Sequence, residues 1–446
     1  MARAWFGTDG IRGVANERLS PELALRVGRA AALRLRGEHP EPVILIGRDT
    51  RRSGTMLEDA LAAGIASAGG HAVRLGVLPT PAVAWGVLQR GAAAGIVISA
   101  SHNPYPDNGI KLFGADGYKL LDAEEEAIEV LLDAEAELPT GAGVGTTSSA
   151  TGAADAYAEW VAEVAGVPLE GMRIVVDCAH GAATTVAPRL FELLGADVTL
   201  IACDPDGCNI NVECGSTHLG HVAAAVLEEG ATLGVAFDGD ADRVLFVDAA
   251  GNPVDGDHIL TLLAADAIAR DALPGNRVVV TSMANLGAHH ALRALGCTLE
   301  ITDVGDRYVL EAMRRDGAVL GGEQSGHVIA LDHQTTGDGP LTAALVLAAL
   351  ARSGQTLAEA AAAVEKFPQN LISVRARREG LGDCTPLWDA IAEAEARLGD
   401  DGRIVVRASG TEPLVRVMVE TRDGAECRAI AEQLVAIVER ELPVAD

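Results

Sequence analysis

Gly95-Ile96-Val97-Ile98-Ser99-Ala100-Ser101-His102-Asn103-Pro104-Tyr105-Pro106-Asp107-Asn108-Gly109-Ile110-Lys111 begins as an apolar run and breaks abruptly into small and polar residues. The run Gly95 to Ile98 predicts a buried strand, and the break predicts a turn at its carboxyl end. Open α/β sheets present ligands at that end of their strands. Ser101 is therefore a hydroxyl placed to carry a covalent group, with His102 beside it and Lys111 a short loop away. The same letters also suit a Ser- and Asn-rich surface turn. What decides between the two is the company the loop keeps.

On the amino-terminal side, helices are expected at about 21–36, 56–68 and 81–89, and strands at 43–46 and 71–77. Alternating strands and helices are the signature of a parallel sheet with helical crossovers. Beyond a helix near 122–137, the run Pro139 to Ser149 loses all periodicity. Its Gly-x-Gly-x-Gly lettering does not follow a strand, so it reads as a linker rather than a dinucleotide loop. At 446 residues the chain is too long for one core. Four units are expected: 1–150, 151–252, 253–366 and 367–446, the last entered through a hinge at Lys366-Phe367-Pro368.

The bulk composition narrows the class. A hydrophobic fraction of 49% is ample for folded cores, yet no run approaches the length of a membrane helix. Met1 to Phe6 lacks the apolar stretch of a signal peptide, so a cytoplasmic location is expected. The seven cysteines form no Cys-x-x-Cys pair and are odd in number, which favours reduced thiols over disulfides or zinc. A net charge of -28 argues against nucleic acid and anionic membranes as partners. An anionic ligand would need the basic residues gathered locally. Lysine occurs only at Lys111, Lys119 and Lys366, two of them in or just after the Ser101 stretch.

Four further loops carry chemistry. Phe6-Gly7-Thr8-Asp9-Gly10-Ile11-Arg12-Gly13 is dense in glycine and offers the forked donors of Arg12 to a phosphate or carboxylate, though a tight turn with a solvated Arg has the same lettering. Asp238-Gly239-Asp240-Ala241-Asp242-Arg243 follows an expected strand at 232–237 and lets three carboxylates converge on one hard cation. An EF-hand calcium loop would want Gly where Arg243 stands and Glu where Ala249 stands, so that reading fails. Gly321-Gly322-Glu323-Gln324-Ser325-Gly326-His327 sets an acid, an amide, a hydroxyl and an imidazole on one loop, a mixture suited to sugar hydroxyls or to a self-satisfied turn. Arg407-Ala408-Ser409-Gly410-Thr411-Glu412-Pro413, with Arg416 beyond it, can make an anion nest. No Walker A lysine and no Gly-x-Ser-x-Gly elbow is present. A nucleophilic hydroxyl, a metal cluster, a sugar-suited loop and an anion nest together fit phosphoryl transfer on a sugar phosphate.

In the same order, the Phe6, Ser101, Asp238, Gly322 and Arg407 segments resemble the five signature segments of the α-D-phosphohexomutase superfamily. The resemblance spans essentially the whole chain. The opening octapeptide, the wording of the Ser101 loop, Val304-Gly305-Asp306-Arg307-Tyr308-Val309 and Gln324 are most similar to the branch acting on glucosamine phosphates. The superfamily implies three related α/β domains and a smaller carboxyl-terminal domain with an antiparallel sheet, around a central cleft. It implies that Ser101, phosphorylated, donates to glucosamine 6-phosphate, and that the 1,6-bisphosphate so formed returns its other phosphate. By the same resemblance Asp238, Asp240, Asp242 and Ser101 hold Mg²⁺, and Arg12, Lys111 and Arg243 assist at the transferring group. Glu323, Gln324, Ser325 and His327 meet the sugar. Arg407, Ser409, Gly410, Thr411 and Arg416 hold the other phosphate, and a hexose 1,6-bisphosphate primes Ser101. The implied partner is a small hexosamine phosphate, with a homodimer left open. Glucose or mannose phosphates, a phosphatase with the same phosphoserine, and a non-catalytic sugar-phosphate binder stand as alternatives.

Overall fold

The computed structural model describes residues 4–7, 9–408 and 414–444. It divides into two compact units, Met1–Ser282 with Glu300–Ala361 and Met283–Leu299 with Ala362–Asp446.

The first sheet of the larger unit contains β1 (Ile11–Val14), β2 (Val43–Arg48), β3 (His71–Val77), β4 (Ala94–Ile98), β5 (Asp107–Gly114) and β6 (Thr147–Ser149). Their order is β1-β5-β4-β2-β3-β6. Strands β2, β3, β4 and β6 run parallel, as the alternation of elements predicts. The expectation fails beside the site, where β5 is antiparallel to β4 and β1 to β5. Only residues 99–106 separate β4 from β5, too few for a crossover helix. The expected linker also ends differently, because Thr147–Ser149 pairs with β3 as an exposed edge strand. Three exposed polar residues bury nothing and therefore leave no periodic pattern to read.

The same plan recurs twice. A second sheet holds β7 (Arg173–Asp177), β8 (Asp197–Ile201), β9 (Leu233–Phe237), β10 (Val244–Asp248) and β11 (Pro253–Val254), in the order β11-β10-β9-β7-β8. A third holds β12 (Arg277–Thr281), β13 (Thr298–Thr302), β14 (Leu320–Gly322) and β15 (Val328–Ala330), in the order β13-β12-β14-β15. Strand β9 is parallel to β7 and antiparallel to β10, and β14 is parallel to β12 and antiparallel to β15. The Ser101, Asp238 and Glu323 loops thus occupy equivalent places, each turning a parallel strand into an antiparallel one. Strands β4 and β9 are buried along their whole length, so their polar continuations emerge at the sheet edge. Helices missing from the sequence reading are Ala153–Ala165, Ala187–Leu194 and Asp306–Asp316. The last buries Val309, Ala312 and Met313, a stripe of helical spacing inside a strongly charged segment.

A buried polar junction ties the repeated domains of this unit together. The Tyr157 hydroxyl lies 2.6 Å from both oxygens of Asp338, and Gln334 Nε2 donates to Asp338 at 3.0 Å and to the Pro81 carbonyl at 3.2 Å. Asp338 also caps the helix Gly339–Ser353 through Leu341 N at 2.8 Å. Burial raises its carboxyl to about 6 against these donors.

The smaller unit contains an antiparallel sheet, β16 (Gln369–Arg375), β17 (Gly402–Ala408) and β18 (Leu414–Thr421), in the order β16-β18-β17. Helices Thr385–Leu398 and Gly424–Glu441 supply Leu387, Ile391, Ile430, Leu434 and Val438 to a core shared with Val415, Val417 and Val419. Side-chain bonds explain why Met283–Leu299 belongs here. Asn285 Oδ1 accepts from Phe367 N and its Nδ2 donates to Phe367 O, both at 3.0 Å, while Leu286 N donates to Glu420 at 3.0 Å.

His289 on this segment is buried, and its Nε2 has no hydrogen-bond partner among the described residues. Burial, with the charges of Arg403 and Arg293 and neighbouring His290, lowers its pKa to about 4. Between the ordinary value near 6.5 and about 4, the unfolded chain binds a proton that the folded chain refuses. The stability this imidazole contributes is complete above pH ~6.5 and falls with pH by roughly 3 kcal/mol in all. Pulse-labelled urea unfolding read on the β18 amides is expected to show that slope between pH 7 and 4. His289→Gln should flatten it, and equal slopes in the two proteins would refute the assignment.

Candidate active site

Ser101 is buried and sits in the left-handed region, φ 50°. Few side chains adopt that conformation without support, and the support here is a buried ion pair that the sequence reading passed over. Arg51 Nε lies 2.8 Å from Asp49 Oδ2, and both side chains are fully buried. The guanidinium then donates to four loop carbonyls: Ser101 at 2.7 Å, Asn103 at 2.8 Å, Pro104 at 2.6 Å and Asp107 at 3.1 Å. Ser99 Oγ donates to Asp49 at 2.5 Å and accepts from Ser101 N at 2.9 Å. Asn211 Nδ2 adds a second bond to the Ser101 carbonyl at 2.9 Å. The turn is thus held by its backbone, which leaves the hydroxyl free to be aimed.

The hydroxyl points at the acid cluster. Ser101 Oγ donates to Asp238 Oδ2 at 2.6 Å, and His102 Nδ1 stands 3.4 Å from the same oxygen of Ser101. This approach requires glycine at 239, since a Cβ there would lie 2.6 Å from the Ser101 carbonyl. Asp238, Asp240 and Asp242 are buried and each offers an oxygen within 4.8 Å of the others. Lys111 Nζ lies 3.1 Å from Asp240 Oδ2 and 3.5 Å from Asp242 Oδ2. Thr80, the first residue of the helix Thr80–Arg90, donates to Asp240 Oδ2 at 2.6 Å.

Charges in the cluster are divided unequally. Burial, then repulsion from Asp242 and Asp240, pushes Asp238 well above the usual carboxylate range. Burial also opposes ionisation of Asp242, but Lys111, His327 and Arg243 outweigh it and hold that carboxyl low. His327 is likewise desolvated, yet Asp242 raises it to about 9 and keeps it an imidazolium. Lys111 stays an ammonium, because the pull of Asp240, Asp242 and Asp9 exceeds the cost of burial. Asp9 is held low by Lys111, Lys119 and Arg12 in spite of burial.

These groups suit a small hard cation. Asp240 Oδ1 and Asp242 Oδ1 are buried without a hydrogen-bond partner among the described residues. Oxygen donors of this kind, on a rigid loop beside a hydroxyl, fit a Mg²⁺-type ion.

The cluster opens into a cavity of about 350 Å³ whose lining includes Asp9, Arg12, Ser101, Lys111, Arg243 and Glu323. Arg12 on β1 and Lys111 on β5 reach it from adjacent antiparallel strands. His327 and Asp242 also face it, so the structure brings together the candidate residues from the Phe6, Ser101, Asp238 and Glu323 segments. Two candidates stand apart. Gln324 donates its amide to Asp257 at 3.1 Å and is not among the residues lining the cavity. Ser325 Oγ is buried without a partner among the described residues and is also absent from that lining.

Within the smaller unit, Arg407 and Arg416 are directly opposite on β17 and β18. Like charges opposite one another destabilise a strand pair unless an anion joins them. Ser409, Gly410 and Thr411 lie outside the described residues.

A strained serine, three buried carboxylates, a lysine ammonium and arginines around one large cleft define a phosphoryl-transfer enzyme acting on an anionic ligand. Family models agree in detail. Those for phosphoglucomutase/phosphomannomutase α/β/α domains I, II and III match residues 3–139, 155–251 and 255–367, and the model for the C-terminal domain matches 348–437. The chain belongs to this phosphoglucomutase/phosphomannomutase family, within the α-D-phosphohexomutase superfamily. It is 52% identical to the phosphoglucosamine mutase of Moorella thermoacetica over 95% of this chain and 97% of that one. A crystal structure of a phosphoglucomutase/phosphomannomutase family protein from Burkholderia thailandensis matches with TM-score 0.82 and 26% identity, covering 98% of this chain and 99% of that one. The fold is shared, at 20% identity and TM-score 0.70, with an Aspergillus fumigatus N-acetylphosphoglucosamine mutase solved in complex with GlcNAc-6P and magnesium, over 98% and 95% of the two chains. The expected architecture, three α/β domains and a smaller one with an antiparallel sheet, is the observed one. Among the described residues no helix is long and apolar enough to cross a membrane.

Proposed function

We propose that this enzyme interconverts glucosamine 6-phosphate and glucosamine 1-phosphate, the reaction of a phosphoglucosamine mutase. The observation that carries the reading is the Ser101 hydroxyl, which lines the cleft beside Arg12, Lys111 and Arg243 and donates to Asp238. It is supported by about half identity, over nearly the whole chain, to an enzyme named for that reaction.

Phosphorylated Ser101 gives its phosphoryl group to the C1 hydroxyl of glucosamine 6-phosphate. The P–Oγ bond breaks, a P–O1 bond forms and the O1 proton is balanced by one taken up at Oγ, giving the 1,6-bisphosphate and a free Ser101 hydroxyl. After the sugar turns, Ser101 Oγ attacks the 6-phosphoryl group and the P–O6 bond breaks. The proton that Oγ gives up is balanced by one gained at O6, and glucosamine 1-phosphate departs from the rephosphorylated serine. Arg12, Lys111 and Arg243 offset the charge on the group in flight. Glu323 and His327 take the sugar, while Gln324, bonded to Asp257, anchors their loop. Arg407, Ser409, Gly410, Thr411 and Arg416 bind the phosphate that is not reacting. Asp238, Asp240 and Asp242, with an oxygen on Ser101, would hold Mg²⁺, which when bound neutralises charge on the transferring group. A hexose 1,6-bisphosphate serves as the priming donor to Ser101.

The deciding experiment is the intact mass before and after incubation with glucose 1,6-bisphosphate and Mg²⁺, followed by peptide mapping. One phosphoryl group on Ser101, lost on adding glucosamine 6-phosphate as glucosamine 1-phosphate appears, is the expected result. Release of inorganic phosphate in place of the isomer would make the chain a phosphatase. No phosphorylation at all would leave a sugar-phosphate binder.

Asp240→Asn tests the metal assignment separately. Loss of one charge from the triad is expected to shift the Mg²⁺ titration, read by calorimetry and by rate, by roughly tenfold or more. An unchanged titration would remove Asp240 from the ligand set.

A further inference from the structure

An amino sugar brings a positive charge into this cleft. Its C2 amine is largely protonated at neutral pH, since amines beside electron-withdrawing carbons titrate near pH ~8. Arg12, Lys111, Arg243 and Arg307 all line the cavity and would repel it. A carboxylate with spare capacity is therefore needed near the sugar.

The carboxylates on the cavity wall differ in their commitments. Asp9 is paired with Lys119 at 2.8 Å and Arg12 at 3.1 Å. Asp122 is paired with Arg307. Asp242 is taken up by Lys111 and His327 at the metal cluster. Glu323 Oε1 accepts from Gly305 N at 3.1 Å. Asp306 has a single ion-pair partner among the described residues, the Lys119 ammonium at 3.6 Å, and shares it with Asp9, which holds that ammonium at 2.8 Å. It stands at the first position of the helix Asp306–Asp316, directly after the Gly305 amide that Glu323 grips, so the sugar loop and Asp306 are mechanically joined.

We propose that the Asp306 carboxylate receives the C2 ammonium and so separates glucosamine phosphates from glucose phosphates. This rests on the substrate reading above. A site built around a charge-assisted N–H bond discriminates against the analogue lacking it, here a hydroxyl in place of the ammonium.

Asp306→Asn keeps the size of the side chain and removes its charge. In the Mg²⁺-loaded, bisphosphate-primed enzyme, kcat/KM for glucosamine 6-phosphate is expected to fall about 10- to 100-fold, mostly through KM. For glucose 1-phosphate it should change by no more than about threefold, because glucose carries no ammonium for the carboxylate to pair with. Glu323→Gln, which touches a hydroxyl common to both sugars, should lower both values alike. Equal losses on the two sugars in Asp306→Asn, or no loss on either, would overturn the inference. Failure of the substrate reading shows elsewhere: unmodified enzyme that prefers glucose 1-phosphate would refute that reading and leave no amine for Asp306 to read.

Discussion

Ser101→Ala is expected to lower mutase turnover by a factor on the order of 10⁵ while the affinity for glucosamine 6-phosphate changes only a fewfold. The two effects separate because the hydroxyl forms a bond in the reaction but at rest meets only protein groups, Asp238 at 2.6 Å and His102 at 3.4 Å. The fold should survive. Every device that holds the turn acts on backbone atoms of residue 101, its N–H on Ser99 and its carbonyl under Arg51 and Asn211. Alanine meets the same left-handed backbone that serine already occupies. Calorimetric binding beside steady-state rates checks the split. A large loss of affinity with turnover preserved would mean that Ser101 holds the substrate and does not carry phosphate.

Arg51→Met is the second large effect, and it acts without touching the sugar. Methionine has a comparable length but no donors, so four loop carbonyls lose their shared partner and Asp49 keeps a buried charge with no cation beside it. Burial already pushes the Asp49 carboxyl up even with Arg51 in place. Breaking such a pair from one side costs ~3–5 kcal/mol, and displacing a reacting group by about 1 Å costs roughly 100-fold in rate. Urea unfolding should show the first loss and the rate of Ser101 phosphorylation the second. The double variant Asp49→Asn with Arg51→Met separates them. Removing both charges should restore much of the stability, because the orphaned carboxylate is gone, yet leave the loop undirected and phosphorylation slow. If the double variant recovers the rate as well, Arg51 serves the fold alone.

Arg51 also marks where reading from sequence stops. Its neighbourhood, Arg48-Asp49-Thr50-Arg51-Arg52, looks like a solvated polar turn, and only its place at the end of β2 hints at a site. Nothing local says that Arg51 folds inward, since the four carbonyls it holds lie about fifty residues away in the chain. Thr80 and Asn211 were hidden for the same reason, one bonding Asp240 and the other the Ser101 carbonyl. Gln324 shows the converse. Its position in the sugar loop suggested a ligand contact, but its amide is engaged by Asp257.

What the sequence alone determined was local and chemical. Apolar runs ending in Ser101, in the Asp238 triad and in the Glu323 loop marked strand ends and the kind of group each would present, because burial of a strand and exposure of its polar continuation are both written in consecutive residues. Distance between segments was left to the tertiary structure. Antiparallel pairing of β4 with β5 made the expected turn a hairpin that aims Ser101 at the acid cluster. The pairing of Lys111 with Asp240 and the elevation of His327 by Asp242 arise from chain segments that meet only on folding. Charge–charge terms fall with separation in space, and one sequence without its fold carries no separations beyond the next few residues.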